Sequence, residues 1–135
     1  MGIGANASGI YVVGSGTVVN KGVSSSHWIV RKSSSGGNSW TTVDDYQLAA
    51  DNSSQARCFV ADANGNLVVA GSGAGKWILR RSVGGTGPWT TVDVFQNGGS
   101  FRTEPNSIAA DAGGRVFVGG FALGDLDDHW LIKRY

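Results

Sequence analysis

The sequence repeats itself at an offset of 49 residues, and this repeat constrains the fold more than any other feature. Trp28 and Trp77 are separated by this offset, and so are Trp40 and Trp89. The tetrapeptide Thr-Thr-Val-Asp directly follows each member of the second pair. Self-similarity at a fixed period of this length is typical of proteins that use one structural unit several times. The chain is therefore predicted to contain consecutive copies of one unit.

Within one period, the pattern of apolar residues predicts β-strands throughout. Apolar runs rich in Val, Ile, Trp and Thr are separated by clusters of Gly, Asn, Ser and Asp, and no window has the 3.6-residue period of an amphipathic helix. The middle copy predicts four strands, over 56–61, 66–71, 76–81 and 89–96, with a tight turn at Asn64-Gly65. Four antiparallel strands that recur every 40–50 residues predict an all-β chain made of β-propeller blades.

The repeat predicts about three blades, at residues 1–47, 48–96 and 97–135, of which the third lacks its outer strand. Three blades cannot close a ring, since closed propellers have about four to eight. An open arc would expose two apolar blade faces to water. We therefore expect oligomerisation, with a homodimer that closes one six-bladed toroid as the favoured form. The alternative is that the chain is a fragment of a longer propeller.

Composition excludes several classes of partner. The 135 residues include 11 basic and 10 acidic side chains, which leave a net charge of +1. This balance provides no basic surface for nucleic acid or for an anionic membrane. No apolar run reaches the roughly 18 residues of a transmembrane helix. A single cysteine excludes an internal disulfide framework and a thiolate metal site, and the sequence implies no cofactor.

A second repeated feature lies between the third and fourth strands of the first copy. Residues 33–40 read Ser-Ser-Ser-Gly-Gly-Asn-Ser-Trp. This segment resembles the Asp-box, or BNR (bacterial neuraminidase) repeat, Ser-x-Asp-x-Gly-x-Thr/Ser-Trp, which lies at the same turn in sialidase-like bacterial propellers. Ser35 stands where the family has Asp, and the copy that ends at Trp89 keeps only the first Ser and the Trp. The resemblance implies a β-propeller and, because such proteins are often exported, an extracellular or periplasmic location.

Two tryptophans and the histidines that precede them are candidates for a ligand-binding site. Trp28 and Trp130 occupy equivalent positions at the start of the third strand of their copies, after His27 and His129. The alternative is that both tryptophans pack in the core and both histidines make structural hydrogen bonds. The sequence leaves these two possibilities open.

The resemblance also indicates which loops would surround a ligand. In sialidase-like propellers, the loops that correspond to 97–106 and 121–128 share the ligand-binding face. The first of these segments contains Arg102 and Glu104, which are therefore candidate ligand-binding residues. A plain polar loop is the alternative interpretation.

The second loop carries a cluster of carboxylates. Asp125, Asp127 and Asp128 lie within four residues of one another, and carboxylate oxygens are the ligands that Ca²⁺ prefers. Their spacing is not that of a known calcium loop, so a solvated acidic loop is the alternative to a metal site.

Catalysis is not expected. By resemblance, a sialidase needs three arginines that hold the substrate carboxylate, a Tyr–Glu nucleophilic pair and an acidic Asp, whereas the chain has one glutamate, Glu104. An ordinary glycosidase needs two carboxyl groups that flank the scissile bond, and no such pair is evident. We expect a non-catalytic propeller module that assembles with itself as a structural or interaction scaffold. The alternatives are a lectin-like propeller that binds a glycan or another small ligand, and a fragment of a glycan-processing enzyme.

Overall fold

The computed structural model describes residues 1–98, 100–124 and 128–135. Within them the chain forms β-strands connected by turns, with one short 3₁₀ turn at Val83–Gly85. In the described part of the chain, no helix is long and apolar enough to cross a membrane. The strands are β1 (Gly2–Asn6), β2 (Gly9–Asn20), β3 (Val23–Ser33), β4 (Thr41–Tyr46), β5 (Ser54–Ala61), β6 (Leu67–Gly73), β7 (Lys76–Ser82), β8 (Trp89–Phe95), β9 (Ser100–Ala110), β10 (Val116–Gly124) and β11 (Asp128–Arg134).

The strands form three antiparallel sheets in chain order. Sheet 1 has the order β1-β2-β3-β4, sheet 2 the order β5-β6-β7-β8, and sheet 3 the order β9-β10-β11. Within each sheet, every strand pairs with its sequence neighbours, as expected when short turns connect antiparallel strands. The all-β, antiparallel part of the predicted fold is therefore confirmed, with sheets of four, four and three strands in the described residues.

The turns between the first two strands of sheets 2 and 3 are stabilised by an aspartate. Asp62 Oδ1 accepts hydrogen bonds from the backbone N–H groups of Asn64 and Asn66, each at 2.9 Å. Gly65 in this turn has a φ of +76°, which glycine adopts without a steric penalty. Asp111 Oδ1 accepts the equivalent hydrogen bond from Arg115 N at 2.9 Å. These side chains fix the register of the two hairpins.

The first strands of sheets 2 and 3 each contain a β-bulge at the same place in the repeat. Arg57 has no partner across the ladder, and neither does Asn106, because the register shifts by one residue at each. On the paired strand, a Cβ on Gly71 or on Gly120 would collide with backbone atoms of the bulged strand. Glycine is required at these two positions because the bulge brings the neighbouring backbone so close.

Two apolar cores separate the three sheets, one on each side of sheet 2. Alternate residues of β6 point to opposite sides, so Leu67 and Val69 contact sheet 1 whereas Val68 and Ala70 contact sheet 3. All seven residues of β6 are buried. This is why β6 begins with a continuous apolar run, residues 67–70, rather than with the alternating pattern of a half-exposed strand. The core residues are Tyr11, Val13, Trp28, Val30, Ala56, Leu67, Val69 and Ile78 between sheets 1 and 2, and Val68, Ala70, Trp77, Leu79, Val116 and Val118 between sheets 2 and 3.

Candidate functional site

The same tryptophan–glycine contact joins each pair of neighbouring sheets. Trp28 of β3 is fully buried against sheet 2, with its Cζ3 atom 2.5 Å from where a Cβ on Gly71 would lie. Trp77 of β7 is fully buried against sheet 3, with Cζ3 2.8 Å from the equivalent position at Gly120. Both distances are too short for any side chain at the glycine. We call this arrangement the Trp–Gly contact.

A charged contact also recurs between neighbouring sheets. Asp44 of β4 accepts two hydrogen bonds from Arg80 of β7, from Nε and Nη2, each at 2.8 Å. At the equivalent positions, Asp93 of β8 accepts a hydrogen bond from Lys133 of β11 at 2.5 Å. Each cation also lies over an aromatic ring of the preceding sheet, with Arg80 3.9 Å from the centre of the Tyr46 ring. One sheet thus provides the acid and the ring, and the next provides the cation.

The surroundings of Asp93 lower its pKa. Burial disfavours the carboxylate, but hydrogen bonds from the Lys133 ammonium and from the Tyr135 hydroxyl, the latter at 2.8 Å, favour it more strongly. The pKa of Asp93 therefore lies below its ordinary value. Burial and the neighbouring Asp93 carboxylate raise the pKa of Tyr135. The Tyr135 hydroxyl therefore stays protonated at neutral pH and donates a hydrogen bond to the ionised Asp93.

These repeated contacts give every sheet two unlike faces. The forward face carries the tryptophan and contacts the next sheet along the chain, whereas the rear face carries the glycine and contacts the preceding sheet. Sheet 2 has both faces covered. In the described residues, no sheet covers the forward face of sheet 3 or the rear face of sheet 1.

The free forward face of sheet 3 exposes large apolar side chains. Trp130 is 79% exposed and Ile132 is 61% exposed, whereas the equivalent Trp28 and Trp77 are 0% exposed. Trp130 and Ile132 line a shallow groove of about 240 Å³ together with residues of β9 and β10, among them Phe117. Trp130 is thus placed as Trp28 and Trp77 are, but in the part of the chain that the structure describes no glycine-bearing sheet lies against it.

The free rear face of sheet 1 is also apolar. Met1 is 96% exposed and Ile3 is 72% exposed, and they line a groove of about 220 Å³ with Val12. Gly14 lies on the same face of β2, and a Cβ at this position would approach only the side chain of Met1, with Cγ at 2.9 Å. This face therefore has a glycine, and Met1 lies over it.

The structure does not bring the four predicted aromatic and histidine ligands together. Trp28 is buried between sheets 1 and 2, and Trp130 is exposed on the far side of sheet 3. His27 Nδ1 lies 2.6 Å from Asp45 Oδ1 in sheet 1, whereas His129 stands near the start of β11 in sheet 3. The two tryptophans and two histidines therefore do not form one binding site.

The structure does bring Arg102 and Glu104 together, and it adds an arginine that the sequence did not single out. Glu104 is buried and its Oε1 accepts hydrogen bonds from Arg102, while its Oε2 pairs with Arg57 Nη2 at 2.5 Å. Arg57 Nε is buried without a hydrogen-bond partner in the structure. The signal for Arg57 in the sequence is only its place in the repeat, at the bulge of β5. The cluster joins the first strands of sheets 2 and 3.

The predicted loops around this cluster are shorter than expected. β9 begins at Ser100 and β10 continues to Gly124, so much of 97–106 and of 121–128 is strand. Of the predicted metal ligands, Asp125 and Asp127 lie outside the described residues, and Asp128 is exposed at the start of β11. Among the residues that the structure describes, no group of three or more His, Cys, Asp or Glu side chains could hold a metal ion.

No protein-family model matches the sequence, and a search of curated proteins finds no match. The features from which a function can be inferred are therefore those of the chain itself. They are the free apolar faces of sheets 1 and 3 and the Arg57–Glu104–Arg102 cluster.

Proposed function

We propose that the chain is a non-catalytic β-propeller module that assembles with itself, two copies closing a six-bladed ring that serves as a structural or interaction scaffold. The observation that carries this proposal is the exposure of Trp130 and Ile132 at one end of the sheet array and of Met1 and Ile3 at the other. Large contiguous apolar surfaces are rare on soluble monomers and mark sites of association.

Association is favoured energetically because a single copy leaves apolar side chains such as Trp130 exposed to water. Removing one large apolar side chain from water contributes about 1.5–3 kcal/mol. The tryptophans of sheets 1 and 2 gain this contribution inside the chain, and Trp130 gains it only when another sheet covers it. Association of two copies would bury both free faces at once, which offsets the entropy lost when two chains combine.

The number of sheets supports the size of the ring. Closed propellers have about four to eight blades, and the chain provides three sheets in its described residues. Two copies make six, and a twofold axis would relate them, as in most symmetric oligomers. The surroundings of Glu104 support a non-catalytic module, because arginines engage both of its carboxylate oxygens.

The test is the absolute mass in solution, by light scattering behind a sizing column, over a wide range of concentrations. We expect a sharp species at twice the chain mass of 14.0 kDa. A species of three chains would retain self-assembly but overturn the six-bladed ring. A stable species of one chain at all concentrations would overturn the proposed function.

A lectin-like function is the second candidate, and the exposed Trp130 ring supports it. An exposed indole offers an apolar face on which the apolar face of a sugar ring can stack. The test is a glycan array probed with the wild type and with Trp130→Ala. Binding that the substitution abolishes would favour the lectin, whereas the absence of binding to every glycan would remove this candidate.

A further inference from the structure

We infer that the closing contact between two copies is a third Trp–Gly contact, in which Trp130 of one copy lies on Gly14 of a second copy and Met1 of the second copy is displaced from that position. This inference rests on the proposed self-assembly and specifies the surfaces that meet. It goes beyond self-assembly because it fixes which face meets which and at what register.

Strand register identifies Gly14 as the third glycine of the series. Gly71 pairs with the residue that follows Trp77, and Gly120 pairs with the residue that follows Trp130. Gly14 pairs with the residue that follows Trp28. The three glycines therefore occupy one position in three equivalent sheets, on the rear face of each.

The forward face of sheet 3 repeats the pattern of the two forward faces that are already covered. Trp28 is followed two residues later by Val30, and both are fully buried against sheet 2. Trp130 is followed two residues later by Ile132, on the same side of β11. The second strand supplies an aromatic residue in both sheets, Tyr11 in sheet 1 and Phe117 in sheet 3. The forward face of sheet 3 therefore offers an incoming rear face the same apolar pattern that the forward face of sheet 1 offers to sheet 2.

The rear face of sheet 1 has room for the incoming ring. In sheets 2 and 3 the backbone of the first strand also approaches the glycine, whereas the paired residues of β1 run from Gly2, opposite Val13, to Asn6 and do not reach Gly14. Among the described residues, only Met1 approaches the space above Gly14. Met1 is almost fully exposed and has three rotatable side-chain bonds. Its displacement from Gly14 therefore costs little.

The third contact would lack the charged component of the first two. Arg31 holds the position of Arg80 and Lys133, but its guanidinium donates a hydrogen bond to Trp40 O, directly before β4. In the described residues, sheet 3 has no fourth strand to provide an acid and an aromatic ring. The contact between copies therefore consists of apolar packing around the Trp130 ring. Each such contact joins unlike faces, and a twofold axis would relate the two contacts of a closed pair.

The experiment compares two single-methyl substitutions on the same face of β2. Gly14→Ala places a Cβ where the incoming ring must lie, and we expect it to weaken association at least tenfold. Gly16→Ala is the matched control, because the equivalent position in sheet 3 is Ala122, which is fully buried and already carries a Cβ. We expect Gly16→Ala to associate as the wild type does. Sedimentation equilibrium gives the association constants.

A mixing experiment tests whether unlike faces meet. Trp130→Ala keeps an intact rear face and Gly14→Ala keeps an intact forward face, so each variant alone is expected to remain a single chain. The equimolar mixture is expected to regain a two-chain species, because one contact between the two variants has both native residues. Far-ultraviolet circular dichroism and thermal unfolding verify that both variants fold, as expected from the exposure of Trp130 and the space above Gly14.

The outcomes separate this inference from the proposed function. If the wild type associates and Gly14→Ala associates equally well, or if the mixture stays monomeric, the Trp130–Gly14 contact is wrong and self-assembly stands. If the wild type is monomeric at all concentrations, the proposed function itself fails.

Discussion

At the scale of single residues, two consecutive aspartates of one strand differ in burial: one is buried between sheets and the other is exposed to solvent. Asp44 and Asp45 are consecutive in β4, and successive side chains of a strand point to opposite faces of the sheet. Asp44 is buried against sheet 2 and accepts both hydrogen bonds from Arg80. Asp45 pairs with His27, and its side chain is 53% exposed. Identical residue types thus make unequal contributions to stability.

We predict that Asp44→Asn destabilises the protein by about 3 kcal/mol or more, because removal of one charge from a buried pair leaves the other uncompensated. Asp45→Asn is the matched control and should cost less than about 1 kcal/mol, as expected for an exposed pair. Urea unfolding at one protein concentration measures both. Equal costs for the two substitutions would contradict the assignment of the buried pair.

The pH dependence of stability should report on Asp93. Its pKa is lower in the folded state than in the unfolded chain, so the stability that it contributes is present at neutral pH and is lost as the pH falls from about 4 through the folded-state value. We predict that Asp93→Asn is less stable than the wild type at neutral pH and that the difference shrinks on acidification. Urea midpoints across the acidic range measure this, and a difference independent of pH would refute it.

At the scale of strands and sheets, the repeat predicted the middle sheet closely. The four predicted strands of this sheet and β5–β8 agree within two residues at each end. The sequence analysis did not predict the start of β9, because the polar residues of this segment are typical of a loop. In the structure, Thr103 is fully buried and the charge of Glu104 is balanced by Arg57 from another sheet. Such a partner, 47 positions away in the sequence, is invisible to a local pattern.

The exposure of the candidate site could be predicted only in part from the sequence, because the blade count predicts two exposed apolar faces but not which side chains lie on them. Trp28, Trp77 and Trp130 occupy equivalent positions in the repeat, so a local pattern treats them alike. Their exposure differs because it depends on whether another sheet follows in space. The repeat could therefore identify the three tryptophans, whereas the structure was needed to show which of them lies on a free face.

A difference between the two internal interfaces leads to a prediction about packing. Tyr11 of β2 is fully buried between sheets 1 and 2, and its hydroxyl donates to Gly85 O at 2.8 Å. Val68 holds the equivalent position in β6 and lines a cavity of about 180 Å³ between sheets 2 and 3, with Leu79 and Tyr135. The smaller side chain accounts for much of this space.

We predict that Val68→Phe stabilises the protein by about 1 kcal/mol, as cavity-filling substitutions commonly do. The control is Val69→Phe, one residue along β6, where the side chain is fully buried on the other face of the sheet. Overpacking there should cost about 1–3 kcal/mol. Thermal or urea unfolding measures both variants, and stabilisation by both or by neither would contradict the account of the cavity.

At the scale of the whole molecule, the chain is an array with unlike ends. Sheet 2 is covered on both sides, and sheets 1 and 3 each leave one apolar face open. Contacts between unlike faces generate a closed ring when the rotation from one copy to the next closes, and an open filament when it does not. The angle between neighbouring sheets therefore decides between a soluble particle and a polymer.

The 49-residue period of the Trp–Gly contact also bears on how such a chain can change its length. Each unit carries both the tryptophan that the next unit receives and the glycine that receives the tryptophan of the preceding one. Duplication of the DNA that encodes one unit therefore adds a whole sheet and leaves the two end faces as they were. The gene can lengthen in units of one sheet without the need to evolve a new complementary surface.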